Sequence, residues 1–271
     1  MAASRVQAWG PISFWKMVHE SVRISLSPAE SLNSRTRIHE MIDEFPGSVD
    51  ERERSLGLWL RGSLLARILA TGEIYRSIAG LPGSIYDIGT WRGQTAVLCE
   101  NFRAVYEPLN KTRCVVAFDT FSGYAGFGPE DRPTEIHRDG TYDVGGERYE
   151  DYLAELLRLH ESSNALGHLN GKHRLVRGDV RETLPAWLAE NRNEIIALAF
   201  LDVNAVEPTR ASIEAIWPRL VPGGKIAVWQ LVQHRIPAEG IVYAGEVLGR
   251  LQHRISYAPT YPGLCIIEKT G

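Results

Sequence analysis

The chain has 271 residues, 44% of them hydrophobic, enough for one large core or for one domain with an N-terminal extension. Its 30 basic and 33 acidic residues give a formal net charge of −3 with no long run of either sign, so composition offers no electrostatic case for nucleic acid or an anionic membrane. No apolar run reaches the length of a membrane span, no signal pattern opens the chain, and Cys99, Cys114 and Cys265 sit far apart in apolar stretches, as reduced core thiols do; a cytoplasmic protein is expected.

Residues 1–50 are mixed, with short helices expected at 14–24 and 34–44, and they read as a helical extension. Trp9, Phe14, Trp15 and Met17 form an apolar cluster there that needs cover. Burial against the same chain, cover over an acceptor site and a homodimer interface all remain open. From Glu51 to about Ala79, Leu56, Trp59, Leu60, Leu64 and Ile68 recur at helical spacing, with Leu65 and Leu69 beside them, which predicts one long or broken helix. Gly80-Leu81-Pro82-Gly83 stops it.

From Ser84 strands and helices alternate. The predicted strands are SIYDIG, CVVAFD (114–119), RLVRGD (174–179), the nearly continuous apolar IIALAFLDV (195–203) and Lys225–Val228 after a Pro222-Gly223-Gly224 turn. Helices are predicted at Thr95–Tyr106, Arg148–His160, Thr183–Glu190, Glu207–Leu220 and Glu239–Leu251, and HRISYA and LCIIEK close the chain as a hairpin-like pair. Residues 121–146, rich in Gly, Pro, Asp and Tyr, have no period, and a loop of that length is a functional lid or disordered. The alternation predicts an α/β fold, a mostly parallel sheet covered by helices on both faces, with ligands past the carboxyl ends of the strands.

Three strand ends carry acids. In YDIGTWRG (86–93), Asp87 ends a strand, Gly89 permits a sharp turn and Gly93 lets the next helix approach. The spacing is not the Gly-x-Gly-x-x-Gly of dinucleotide sites, and an acid in the turn suits a ligand with a cationic or hydroxyl-bearing part rather than a pyrophosphate. The plain alternative is an ordinary strand–turn–helix with a capping Asp. In AFDTFSG (117–123), Asp119 stands where an acid accepts hydrogen bonds from ribose hydroxyls, though Asp119 or Ser122 could equally cap a turn. In RGDVRETLP (177–185), Asp179 could accept from an adenine amine, or Thr183 could cap a helix and Asp179 be a turn residue. Together the three outline S-adenosylmethionine contacts.

GTWRGQTA, FDTFSG, GDVRETLP and LDVNAVEPTRASIEAIWPRLVPGG together resemble the macrocin O-methyltransferase family, class I S-adenosylmethionine enzymes of Rossmann-like fold, many of which methylate sugar hydroxyls. The likeness covers about residues 50–270 and makes 51–271 a methyltransferase domain with a seven-stranded sheet. It implies that Asp87 and Gly89 line the methionine end, that Asp119 holds the ribose and that Asp179 lies by the adenine. Thr90, Gly93, Thr120, Ser122, Val180 and Asp202 complete the implied cofactor set.

The family usually has Asp-x-Asp after the fourth strand and an acidic pair after the fifth, which hold Mg²⁺. Here Asp202 survives, but the second Asp is Asn204 and the pair is Trp229-Gln230. Mg²⁺ prefers anionic oxygen; amides do not neutralise it and an indole offers none, so no divalent site is expected. Asn204, Trp229, Gln230, Tyr124 and Tyr142 are then acceptor-pocket candidates, with Trp229 closing the metal pocket or stacking on a flat acceptor. His137, His234 and Asp202 are the candidate catalytic groups, although a surface role is the plain reading of either histidine. The expected activity is metal-independent methylation of a small acceptor, a sugar or a natural-product intermediate, with O-methylation favoured. The competing reading is a catalytically inactive relative that binds the cofactor or its demethylated product as a partner subunit.

Overall fold

From Ser84 onward, alternating strands and helices build a single sheet clad in helices. The computed structural model describes residues 29–135, 137–146, 148–164, 171–232 and 237–271; the expected helix at 14–24, the cluster of Trp9, Phe14, Trp15 and Met17, and His234 lie outside the described residues. The chain divides into two compact units, Met1–Arg61 and Gly62–Gly271.

In the first unit, α1 (Ala29–Asp43) buries no residue and is laced by Arg37, which pairs with Glu40 at 3.1 Å and Glu44 at 2.8 Å. It starts earlier than the expected 34–44. α2 (Val49–Arg54) opens on a reciprocal Ser48–Glu51 capping box. A 3-10 turn, Leu56–Trp59, follows, and Trp59 meets Phe45 edge-on at 5.2 Å.

The second unit begins with α3 (Gly62–Ile78), so the predicted 51–79 helix is broken. The stripe read from the sequence, Leu64 and Ile68, is half-buried and continues on the same face into buried Thr71, Tyr75 and Ile78, while the leucines beside it do not. Leu65 and Leu69 are 42% and 48% exposed, whereas Ala70, Thr71, Ile74, Tyr75 and Ile78 are buried. Small and aromatic residues pack this helix on the sheet, and the larger leucines mark its outer side.

The order that follows is β1 (Ser84–Ile88), α4 (Gln94–Tyr106), β2 (Val115–Asp119), α5 (Tyr149–Ser163), β3 (His173–Arg177), α6 (Val180–Glu190), β4 (Ile196–Leu201), α7 (Val206–Ile216), β5 (Leu220–Val228), α8 (Ala238–Val242), β6 (His253–Ala258) and β7 (Tyr261–Lys269). The sheet runs β3-β2-β1-β4-β5-β7-β6, with β7 antiparallel to β5 and β6 and the other pairs parallel. This is the expected mostly parallel, seven-stranded arrangement. β1 and β4 are buried along their whole length because both faces are covered. Alternate residues serve opposite cores: Tyr86, Val116 and Phe118 pack with Leu184 and Ile213, while Ile85, Val115 and Ala117 pack with Ile74 and Leu157. The three cysteines are free; Cys99 and Cys265 are buried and Cys114 partly so.

Several boundaries differ from the sequence reading, among them the end of the helix expected over 207–220, which stops at Ile216 before a 3-10 turn, Trp217–Arg219. β3 ends at Arg177 and α6 starts at Val180, because the Asp179 carboxylate caps α6 by accepting the Arg181 N–H at 2.9 Å; Thr183 is no cap, its hydroxyl donating to the Asp179 carbonyl. The Pro222-Gly223-Gly224 turn lies inside β5, whose pairing jumps from Ile196–Leu220 to Leu198–Lys225. The helix expected over 239–251 is α8 followed by a π-type turn, Tyr243–Val247, and it closes at Gly249, which has φ +77°.

Candidate active site

The reversal of strand order between β1 and β4 opens a crevice at the carboxyl ends of the parallel strands. A cleft of about 230 Å³ lies there. Gly89 and Trp91 line it from the β1 loop, Asp119, Thr120, Gly123 and Tyr124 from the β2 loop, and Gly178, Asp179 and Val180 from the β3 loop. Asp202, Val203 and Asn204 follow β4, Gln230 follows β5, His137 and Tyr142 come from the 121–146 loop, and Arg67 comes from α3. Of the candidate residues, Asp87, Thr90, Gly93, Ser122 and Trp229 do not line it.

The first turn is built by close backbone approach. Gly89 has φ +79°, and a Cβ there would lie 2.4 Å from the Asp202 carbonyl oxygen. Gly93, at φ +78°, leaves room for Leu153 of α5, which a Cβ would meet at 2.4 Å. Asp87 is buried behind this turn, where its carboxylate accepts from the Thr90 hydroxyl, and burial pushes its pKa up to about 7.

Asp119 organises two turns at once. Its Oδ2 accepts the Trp91 N–H and its Oδ1 the Phe121 N–H, both at 2.7 Å. Trp91 and Phe121 sit at φ 49° and 54°, in the left-handed region that bulky residues rarely enter. Burial raises the Asp119 pKa, and hydrogen bonds from the Phe121 and Trp91 N–H groups and from the Thr120 hydroxyl and N–H oppose that rise. Asp179 is more heavily engaged, because Arg181 reaches both its oxygens, at 3.0 Å and 2.6 Å, and holds its pKa down.

The 121–146 loop is a packed structure rather than an open strap. Tyr124 N–H donates to Thr141 O and Gly140 N–H returns to Tyr124 O, both at 2.8 Å. Tyr124, Tyr142 and His137 form an aromatic group with centroid separations of 5.0, 6.2 and 6.1 Å, and Trp91 meets Tyr142 at 5.8 Å. His137 is half-buried, its Nδ1 is 3.3 Å from the Thr134 hydroxyl, and burial lowers its pKa below the ordinary imidazole value. It is therefore neutral and able to accept a proton at pH 7.

The expected acceptor end contains groups the sequence did not flag. The Asn204 amide donates to Asp202 Oδ1 and to the Tyr124 hydroxyl, both at 2.9 Å. The Asn204 N–H donates to Glu239 Oε1 at 2.8 Å, which helps hold Asn204 at φ 57°. Glu239 is buried, and its pKa is pushed up to about 8 for that reason. Arg67 lies 3.6 Å from Asp202 Oδ2 and 3.9 Å above the centre of the Trp229 indole. The reading of Trp229 as an acceptor platform is thus corrected: the ring is 4% exposed, Arg67 covers one face and Tyr261 meets it edge-on at 5.8 Å. Arg67 does carry a sequence signal, since it falls on the face of α3 that buries Thr71, Ile74 and Ile78, where a cation is out of place.

These donors do not suit a hard divalent cation. Asp202 is the one carboxylate among them that lines this end of the cleft, a guanidinium already faces it, and Asn204 presents its NH₂ group to it. The cofactor end does suit S-adenosylmethionine, with a glycine turn open to backbone approach and a carboxylate lining the cleft at the end of β2.

The macrocin-O-methyltransferase (TylF) family model matches residues 69–238. Among curated proteins, the mycinamicin III 3''-O-methyltransferase of Micromonospora griseorubida is 23% identical over 148 residues, 54% of this chain and 54% of that protein. The chain spans about half the length of the curated relatives it matches. Among solved structures, the calicheamicin methyltransferase CalS11 superposes with a TM-score of 0.84 at 34% identity, covering 90% of this chain and 94% of that one. An apo structure of the same enzyme, described as a TDP-rhamnose 3'-O-methyltransferase, gives 0.77 at 31% identity over 90% and 96%. With its sheet order, its β1 turn and its family match in agreement, the chain belongs to the macrocin O-methyltransferase family of class I S-adenosylmethionine-dependent methyltransferases.

Proposed function

We propose that this protein transfers the methyl group of S-adenosylmethionine to a hydroxyl of a deoxysugar in natural-product biosynthesis, without a divalent cation. The likeness to a TDP-rhamnose methyltransferase over most of both chains supports a nucleotide-bound or glycosidic deoxysugar as acceptor. The observation that carries the reading is the single cleft that joins Asp119 at one end to His137, Asp202 and Asn204.

S-adenosylmethionine supplies an electrophilic methyl on a sulfonium. The chain's own work is then alignment and proton handling. Asp119 would accept from the ribose hydroxyls, Gly89 and Thr120 would border the cofactor, and Gly178 and Val180 would flank the adenine, all of them lining the cleft, with Asp179 sharing its oxygens with Arg181. Asp87 and Thr90 brace the turn from behind rather than touch the ligand. Tyr124, Tyr142 and Trp91 wall off water, and neutral His137 takes the acceptor proton.

Calorimetric titration of the purified protein with S-adenosylmethionine and with S-adenosylhomocysteine tests the cofactor half. Equal affinity in Mg²⁺ and in chelator is expected, and an Asp119→Ala variant is expected to bind at least tenfold more weakly. No binding of either ligand to the native protein would sink the reading.

A further inference from the structure

Arg67 has more donors than its neighbours use. Among the described residues its guanidinium makes the 3.6 Å ion pair with Asp202 and lies over Trp229, yet none of its N–H groups has a hydrogen-bond partner. It is only partly exposed and lines the cleft. Two supports fix it: the indole face, which attracts a weakly hydrated planar cation, and a carboxylate whose other oxygen is held by Asn204. The same cleft is lined by two residues with acceptors that have no donor, Asn204 Oδ1 and Gln230 Oε1, both shielded from solvent; Asn204 itself is 3% exposed.

A cation with free N–H groups in one cleft with orphaned amide oxygens complements a polyol, whose hydroxyls each donate one hydrogen and accept others. We propose that the Arg67 guanidinium is the resident cation of the acceptor site: it donates to the oxygen of the sugar hydroxyl being methylated and stabilises the negative charge that develops there, a task a divalent ion would otherwise perform. Asn204 Oδ1 and Gln230 Oε1 accept from that hydroxyl's neighbours and set which hydroxyl is presented. This rests on the methyltransferase reading above. The balance closes within the cleft. The acceptor O–H proton goes to His137, a carbon–oxygen bond forms to the methyl carbon, and the sulfur–methyl bond breaks with its electron pair left on sulfur. A methyl ether, S-adenosylhomocysteine and an imidazolium result.

Trp229 is a positioning residue in this scheme, since it acts through Arg67. The arrangement also accounts for an indole and an amide after β5. The indole carries the cation, and an acid at Gln230 would compete with Asp202 for it.

The test uses TDP-rhamnose as acceptor probe, with methyl transfer followed in EDTA for the native protein, Arg67→Gln and Arg67→Ala. Arg67→Gln is expected to lower kcat about 100-fold, the usual loss when one donor to a developing oxyanion is removed. Affinity for S-adenosylmethionine should stay within threefold, and millimolar guanidinium should restore part of the Arg67→Ala rate, which loss of a merely structural contact would not allow. A kcat for Arg67→Gln within threefold of native overturns the proposal. An acceptor-independent arm uses Mn²⁺ alone, followed by electron paramagnetic resonance on protein loaded with S-adenosylhomocysteine. The expected spectrum is that of free Mn²⁺; bound Mn²⁺ that Mg²⁺ displaces and Asp202→Asn abolishes overturns it. Failure of the native protein to bind either cofactor form would overturn the methyltransferase reading itself. Intact cofactor binding with an indifferent Arg67 would overturn only the role given to that side chain.

Discussion

Asp119 and His137 show how single residues set this site. One carboxylate fixes two left-handed backbones through 2.7 Å hydrogen bonds, so the loops after β1 and β2 meet with a defined gap between them. One imidazole, kept neutral by burial, stands among Tyr124 and Tyr142. Its direction of shift fixes the sign of a pH effect. Below its pKa, which lies under 6.5, His137 is protonated and cannot accept the acceptor proton. The native enzyme should therefore show kcat/KM rising with pH through that pKa and flat above it. His137→Gln should lose the rising limb and about 100-fold in rate, within the range that general-base catalysis supplies. A variant profile that keeps the same rising limb would assign the base elsewhere. His137, Asp202, Asn204, Gln230 and Tyr124 could be named from the sequence because each sits in or beside a motif. Arg67 could have been flagged only as a cation on a buried helix face, and Glu239 not at all, because only the fold brings residues so distant in the chain together with Asp202 and Asn204.

Among the elements, the strands were the most legible part. β4 is a continuous apolar run, the pattern of an element covered on both faces, and β1 is buried along its length although it carries Ser84 and Asp87. α3 was legible as a helix and only in part in its orientation. The Leu64–Ile68 stripe runs into the buried face at Thr71, Tyr75 and Ile78, but Leu65 and Leu69 beside it are exposed, and Tyr75 with the small residues Ala70 and Gly72 completes the packing. The reason is close approach: a Cβ on Gly72 would stand 3.0 Å from the Phe102 ring of α4. The same helix is pinned at its far end by buried Arg113, which donates to Glu107 at 2.8 and 2.7 Å and to the carbonyls of Ile78 and Leu81 at 3.2 and 2.8 Å. Tyr75 adds a 2.7 Å hydrogen bond to Glu107. Arg113→Met would leave a buried carboxylate uncompensated, at a cost of about 3–5 kcal/mol. The expected result in denaturant melts is that loss of stability, with cofactor affinity of the folded protein unchanged, because this network gathers at the amino ends of the strands. A loss below about 1 kcal/mol would show that Glu107 finds another partner.

For the whole molecule, the fold and the proposed cofactor end were read from strand ends that carry acids, a pattern local enough to see along the chain, and two of those acids, Asp119 and Asp179, line the cleft. The acceptor end was not, because there the chemistry depends on what faces Asp202. In this chain that neighbour is a guanidinium seated on an indole. The substitutions at Asn204 and Trp229-Gln230 thus form one arrangement with Arg67: a stacked cation, a carboxylate beside it and two amides with free oxygens. The aromatic wall of the 121–146 loop shields the other side. The most direct test is methyl transfer from S-adenosylmethionine to TDP-rhamnose by the native protein, read by mass spectrometry after exhaustive chelation and again with Mg²⁺ restored. The account predicts a sugar product 14 mass units heavier, the gain of one CH₂, formed at equal rates in both conditions. Transfer that appears only with Mg²⁺ would contradict it.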